Sequence, residues 1–146
     1  MKKYFRIILF TVFVLMLLVL CAVTAFAAYD VGGTTYTTLS SAVSAVPDGG
    51  VINVVSESTL SSTTLSYDKS YTIYGNGFSL TASGTLTLSA GRMTLDGVCI
   101  NGSTHVISVS GGELTVLGDS ELSTSSGRAI VASGSSKVHL YSGVFR

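Results

Sequence analysis

Arg92-Met93-Thr94-Leu95-Asp96 and, twenty-one residues later, Glu113-Leu114-Thr115-Val116-Leu117 are one pattern written twice. Apolar and polar residues alternate in both, as in strands that bury one face. The pattern extends in both directions. Inward pairs read Ile52/Val54, Tyr71/Ile73, Met93/Leu95, Leu114/Val116 and Val138/Leu140, at steps of 19 to 24 residues. A second series reads Phe78, Ile100, Leu122 and Phe145, and a third reads Leu65, Leu86, Ile107 and Ile130. Three series that advance at nearly one pitch predict a solenoid with three strands per turn and about five stacked turns. Antiparallel hairpins are the competing arrangement, but they do not require every third strand to share a pattern.

The residues between the inward ones supply a second test. Just before the first series stand Ser70, Arg92, Glu113 and Lys137, so parallel stacking alternates opposite charges. Inside it stand Asn53, Thr72, Thr94, Thr115 and His139, a polar ladder, and beyond it Gly75, Gly97 and Gly118 mark a recurrent turn. Vertical neighbours about 4.8 Å apart allow charge pairs and Thr–Thr contacts to help. The irregular pitch speaks against the strict six-residue rhythm of left-handed windings. The expected fold is therefore an all-β, right-handed parallel β-helix with a short N-terminal capping helix.

That helix is read from Leu39, Ala42, Val43 and Val46, an i, i+3, i+4, i+7 stripe. Thr37 or Thr38 is placed to cap its start, and Pro47-Asp48-Gly49-Gly50 ends it. Its apolar side would cover the first turn, whose open edge would otherwise invite aggregation. The segment from Ala28 to Thr35 reads as a loop. At the other end, Val144-Phe145-Arg146 places an inward residue with nothing beyond it as a cap. The expectation there is a truncated reading frame, a fragment, or an end buried by another copy.

Residues 1–27 read as a secretory signal. Lys2, Lys3 and Arg6 form a basic head, an uncharged apolar run follows, and Ala25-Phe26-Ala27 fits a cleavage site. An uncleaved anchor is the alternative, since the run is long enough to span a bilayer. The division is thus 1–27 signal, 28–50 N-terminal loop and capping helix, and 51–146 β-helix turns. The expected location is secreted or cell surface, with membrane contact only through that N-terminal segment.

Three of the eight bases lie in the basic head, so the mature part is acidic, with five bases against eight acids. That excludes nucleic acid, whose binding rests on clustered Lys and Arg. Cys99 is the only cysteine beyond the signal, so neither an intramolecular disulfide nor a Cys-based metal site can form.

Tyr36 through Val43, Pro47-Asp48-Gly49-Gly50-Val51-Ile52-Asn53-Val54 and Ile73-Tyr74-Gly75-Asn76-Gly77 together resemble the opening of the pectate-lyase-like, right-handed parallel β-helix superfamily. That superfamily includes bacterial polysaccharide lyases, adhesins and surface proteins. The resemblance implies that any site lies on the outward face of the first strand series. Its hydrolases use several aspartates and a Gly-His-Gly motif there, and its lyases use calcium-holding carboxylates beside an Arg or Lys base. This chain has neither the Gly-His-Gly motif nor an Asp-Asp pair, and Asp96 and Glu113 are the only acids expected on that face.

Glycoside hydrolysis normally takes two carboxylates flanking one bond. Asp96 is expected beside Tyr74 and Leu117, and Glu113 between Arg92 and Lys137, where it suits a salt ladder better than proton donation. Asp119 and Glu121 lack a third acid for calcium, and His105 and His139 fall in different series. Asn101-Gly102-Ser103 matches a glycosylation acceptor but reads as a bend. No catalytic residue, metal site or cofactor is expected. Tyr74, Arg92, Asp96, His139 and Tyr141 are the candidate ligand contacts, the tyrosines because exposed rings stack on sugars and proteins. The function expected is a non-enzymatic scaffold or adhesin-like module that contacts polysaccharide or a surface protein and is open to end-to-end self-association. The alternative is the N-terminal turns of a polysaccharide lyase or glycoside hydrolase whose catalytic turns are absent.

Overall fold

A computed structural model describes residues 26–146. The signal segment expected over 1–27 therefore lies, but for its last two residues, outside the described residues. A hairpin of β1 (Tyr29–Val31) and β2 (Thr34–Tyr36) precedes helix α1 (Leu39–Ala45). The first turn is β3 (Gly50–Val54), β4 (Ser58–Leu60) and β5 (Thr63–Leu65). The second is β6 (Ser70–Tyr74), β7 (Ser79–Ala82) and β8 (Leu86–Leu88), and the third is β9 (Arg92–Asp96), β10 (Cys99–Gly102) and β11 (Ile107–Val109). The fourth is β12 (Glu113–Leu117), β13 (Glu121–Thr124) and β14 (Ile130–Ala132), after which come β15 (Lys137–Leu140) and β16 (Val144–Phe145).

Every third strand pairs in parallel. The three sheets run β15-β12-β9-β6-β3-β1-β2, β16-β13-β10-β7-β4 and β14-β11-β8-β5. Over the described residues the protein is a β-solenoid of about four turns, nearly all β, with one short helix. The expected fifth turn contributes only β15 and β16. Met93 and Leu95 lie opposite Leu114 and Val116, and these opposite Val138 and Leu140. The inward residues up to β13 are almost all solvent-free and form one continuous core, against which Ile130 and Val138 are partly buried, while Leu140 and Phe145 are exposed.

The lower register differs from the expectation in all three sheets, each time by two residues. Ile52 lies opposite Ile73, not Tyr71, which faces Gly50. Leu80 rather than Phe78 stacks under Ile100. Leu65 pairs with Leu88, and it is Thr63 that faces Leu86. Because side chains alternate with period two, these slips leave every residue on its expected face.

The stretch expected as a loop before the helix is instead the β1–β2 hairpin. Gly32 and Gly33 adopt φ of 58° and 88°, which a two-residue turn between twisted strands demands. β1 pairs antiparallel with β3, extending the first sheet beyond the solenoid proper. Thr38 caps α1, its side chain accepting from the Ser41 N–H at 3.2 Å. Leu39, Ala42, Val43 and Val46 are all buried, as the stripe predicted. Between turns, Ser120 is fully buried, its hydroxyl donating to the Leu117 carbonyl at 2.7 Å and accepting from the Val98 N–H at 3.1 Å. That hydroxyl ties the third turn to the fourth.

Not every buried group is tied. The Tyr71 hydroxyl finds no hydrogen-bond partner. Replacing Tyr71 with phenylalanine removes only that orphan hydroxyl, and stability is expected to rise by about 1 kcal/mol in urea titrations. Burial also raises the Tyr71 pKa well above the free value. The folded state then holds this proton more tightly than the unfolded chain does. Its contribution is complete below pH of about 10 and is lost as pH rises further, so the alkaline decline should be shallower in Tyr71→Phe.

Candidate functional site

The outward face of the first sheet carries the candidate residues. Ser70, Arg92, Glu113 and Lys137 stack at one end of the strands, as expected. Thr72, Thr94, Thr115 and His139 form the next column, headed by Val51; Asn53 moves out of it to stand beside Tyr74. Tyr74, Asp96 and Leu117 follow in register.

Glu113 is the hub. Its Oε2 lies 3.6 Å from Arg92 Nε and its Oε1 lies 3.3 Å from His139 Nε2. The expected partner Lys137 is in register beside Glu113 but makes no ion pair with it among the described residues. The reason is reach: His139 sits in the adjacent outward column of the same strand, and one carboxylate holds both neighbours. The His139 ring in turn stacks on Tyr141, centroids 6.3 Å apart and planes inclined by 18°. Arg92, Glu113, His139 and Tyr141 are thus one connected group across three turns.

Tyr74 and Asp96 lie toward the other end of the strands. Tyr74 is 38% exposed, and the Asp96 carboxylate packs over the α-carbon side of Gly118. Glu113 opens β12, whereas Asp96 lies opposite Leu117, which closes it. At about 3.3 Å per residue the two acids occupy backbone positions about 13 Å apart along the sheet. Paired glycosidase carboxylates stand about 5 to 9.5 Å apart. The two acids are not set to flank one bond.

Beside the charged column runs a trough of about 790 Å³, walled by Asp48, Asp68, Lys69, Arg92, Glu113 and Lys137. Its floor is Gly91, Gly111 and Gly112, the small turns that lead into β9 and β12. Lys69 is committed to structure, its Nζ donating to the Ser44 and Val46 carbonyls at 3.1 and 2.6 Å. Asp48 accepts from the Ser70 N–H at 2.7 Å. Asp68 and Lys137 line the trough and take part in no ion pair among the described residues. The sequence reading missed this trough. Its one signal was the repetition of Ser89-Ala90-Gly91 as Ser110-Gly111-Gly112 ahead of equivalent strands.

The other polar candidates are scattered. His105 Nδ1 accepts from the Arg128 N–H at 3.0 Å, and Glu121 pairs with Arg146. Asn101 is in strand β10, not in a bend, and its Oδ1 accepts from Ser123 of the next turn at 2.5 Å. Cys99 is half-buried beside Ser79. Among the described residues no three His, Cys, Asp or Glu side chains converge as metal ligands, and no helix is long and apolar enough to cross a membrane. Comparison of the chain with family models, curated proteins and solved structures finds no match.

Proposed function

We propose that this protein is an exported, non-enzymatic β-helix module whose first-sheet face and trough hold an extended polysaccharide. One observation carries the reading: the acids on that face are divided between a salt ladder centred on Glu113 and a separate Asp96 about 13 Å away. Such a face presents charge and aromatic surface at a fixed spacing without a proton donor aimed at a shared bond. Export rests on the basic head, apolar run and Ala25-Phe26-Ala27 site. The resemblance of the helix, Asp-Gly turn and first strands to the pectate-lyase-like superfamily supports a sugar polymer over other ligands.

The test is binding and turnover of uronate polymers by the full chain. Retardation in polymer-containing native gels is expected, without any release of reducing ends. Tyr141→Ala should weaken that retention by about fivefold, equivalent to about 1 kcal/mol. Polymer cleavage that disappears in Asp96→Ala or Glu113→Ala would instead establish an enzyme.

A further inference from the structure

The bond that export would cut lies inside the fold. Ala25-Phe26-Ala27 places cleavage between Ala27 and Ala28. β1 begins at the next residue, Tyr29, so no spacer separates the cut from the first strand.

Ala28 already belongs to the sheet. Its N–H donates to the Tyr36 carbonyl and its carbonyl accepts from the Val55 N–H, both at 2.9 Å. These bonds extend by one residue the ladders that β1 makes with β2 and β3. Ala28 and Tyr29 are each 1% exposed, and α1 packs against both β1 and β2. On the other side of the bond Ala27 is half-buried, and its carbonyl accepts from the Ser56 hydroxyl at 3.1 Å. At Phe26, 82% exposed, the chain is outside the fold.

An extended segment is recognised through its backbone N–H and C=O groups and through side chains that enter pockets. In the folded chain the groups at Ala27 and Ala28 are occupied by Ser56, Tyr36 and Val55. Freeing them requires β1 to leave its place between β2 and β3. A strand held along both edges does not fray as an untied terminus does.

We propose that folding of β1, β2 and α1 onto the first turn locks the Ala27–Ala28 bond against signal peptidase, so that cleavage takes place only on the unfolded chain. The proposal rests on the export reading above. Hydrolysis adds one water across the bond, leaving a carboxylate on Ala27 and an ammonium on Ala28. A chain whose first turn folds before it is cut keeps residues 1–27. Their uncharged apolar run is long enough to span a bilayer and holds that chain on the membrane. The order of the two events thus decides between a released and an anchored module.

Digestion of the purified full chain by signal peptidase in detergent micelles tests this. A comparison variant carries about ten Gly and Ser residues between Ala28 and Tyr29, a flexible linker that moves the bond off the sheet. At equal strand circular dichroism the linker variant should be cut at least about tenfold faster, because cleavage of a transiently opened site tracks the population of the open form. Val54→Asp places a carboxylate at a fully buried position opposite Tyr29 and leaves the signal unaltered. It should open the lock and be cut as fast as the linker variant. Mass spectrometry should place the new N-terminus of every product at Ala28. Equal rates for the native and linker chains would overturn the proposal, as would a new N-terminus upstream of Ala28. Resistance of both variants would show that the segment is no cleavable signal, so that the export reading fails and the proposal with it.

Discussion

Replacing Leu95 with alanine is expected to lower the unfolding free energy by about 3–5 kcal/mol, the upper part of the range for buried leucines. Leu95 is 1% exposed in an interior strand of the first sheet, with Ile73 and Val116 as its vertical neighbours. The loss has two parts, the transfer energy of the deleted carbons and the cavity left behind. The second part is large here because the surroundings cannot collapse. Each neighbouring residue is held by ladder hydrogen bonds to strands above and below, so closing the gap would break backbone pairing. Leu140 makes the contrast. It occupies the equivalent position in β15 but is 52% exposed, so Leu140→Ala should cost less than about 1 kcal/mol. Urea unfolding of the two variants, compared by midpoint and slope, measures the difference. Equal losses would mean that Leu95 does not lie inside a stack flanked on both sides.

Which residues face inward was legible; which residue sits above which was legible only in part. Ile52, Leu80 and Leu65 show why. An alternation of period two assigns a face to each residue, and a two-residue slip preserves that assignment while moving the partner. The partner is set by how many residues the turn consumes. Between Tyr74 and Leu80 the chain turns through Gly75, Asn76 and Gly77, with Asn76 and Gly77 at φ of 52° and 80°. That turn consumes two residues more than the one between β9 and β10, which brings Leu80, not Phe78, under Ile100. From β9 upward each turn is only one residue longer than its equivalent below, and there the register followed directly from the repeat. The charged face shows the same division. Arg92 beside Glu113 could be read from a single column, but the contact with His139 crosses columns and depends on where a flexible carboxylate leans. The trough was least legible, because it is built from side chains that are missing at Gly91, Gly111 and Gly112. The β1–β2 hairpin had a usable signal in Gly32-Gly33 between short β-prone runs, too brief to stand out from a loop.

Gly75→Ala is expected to destabilise the chain by about 3 kcal/mol or more, although the substitution adds a single methyl group. A β-carbon at Gly75 would meet the Gly97 carbonyl oxygen at 1.9 Å and the Val98 α-carbon at 2.7 Å. Both atoms are backbone of the next turn, so no rotamer change can relieve the clash. Strain in the glycine's own backbone is not the cause, since φ at Gly75 is not positive. Relief requires the second and third turns to part, and with them the Gly75 N–H bond to the Asp96 carbonyl at 3.0 Å. Gly77, two residues along the same bend, provides the control. It has φ of 80° but nothing within 4 Å of a built β-carbon. Gly77→Ala should therefore cost only the strain of a left-handed residue, about 1–2 kcal/mol. The functional consequence follows from position: Tyr74 precedes Gly75 and lies opposite Asp96, so prying the turns apart separates two candidate ligand contacts. Polymer retention should then fall in Gly75→Ala while Gly77→Ala keeps it. If the two variants were equally stable, the turns at Gly75 and Gly97 would not be in backbone contact, and the spacing of the face they support would have to be redrawn.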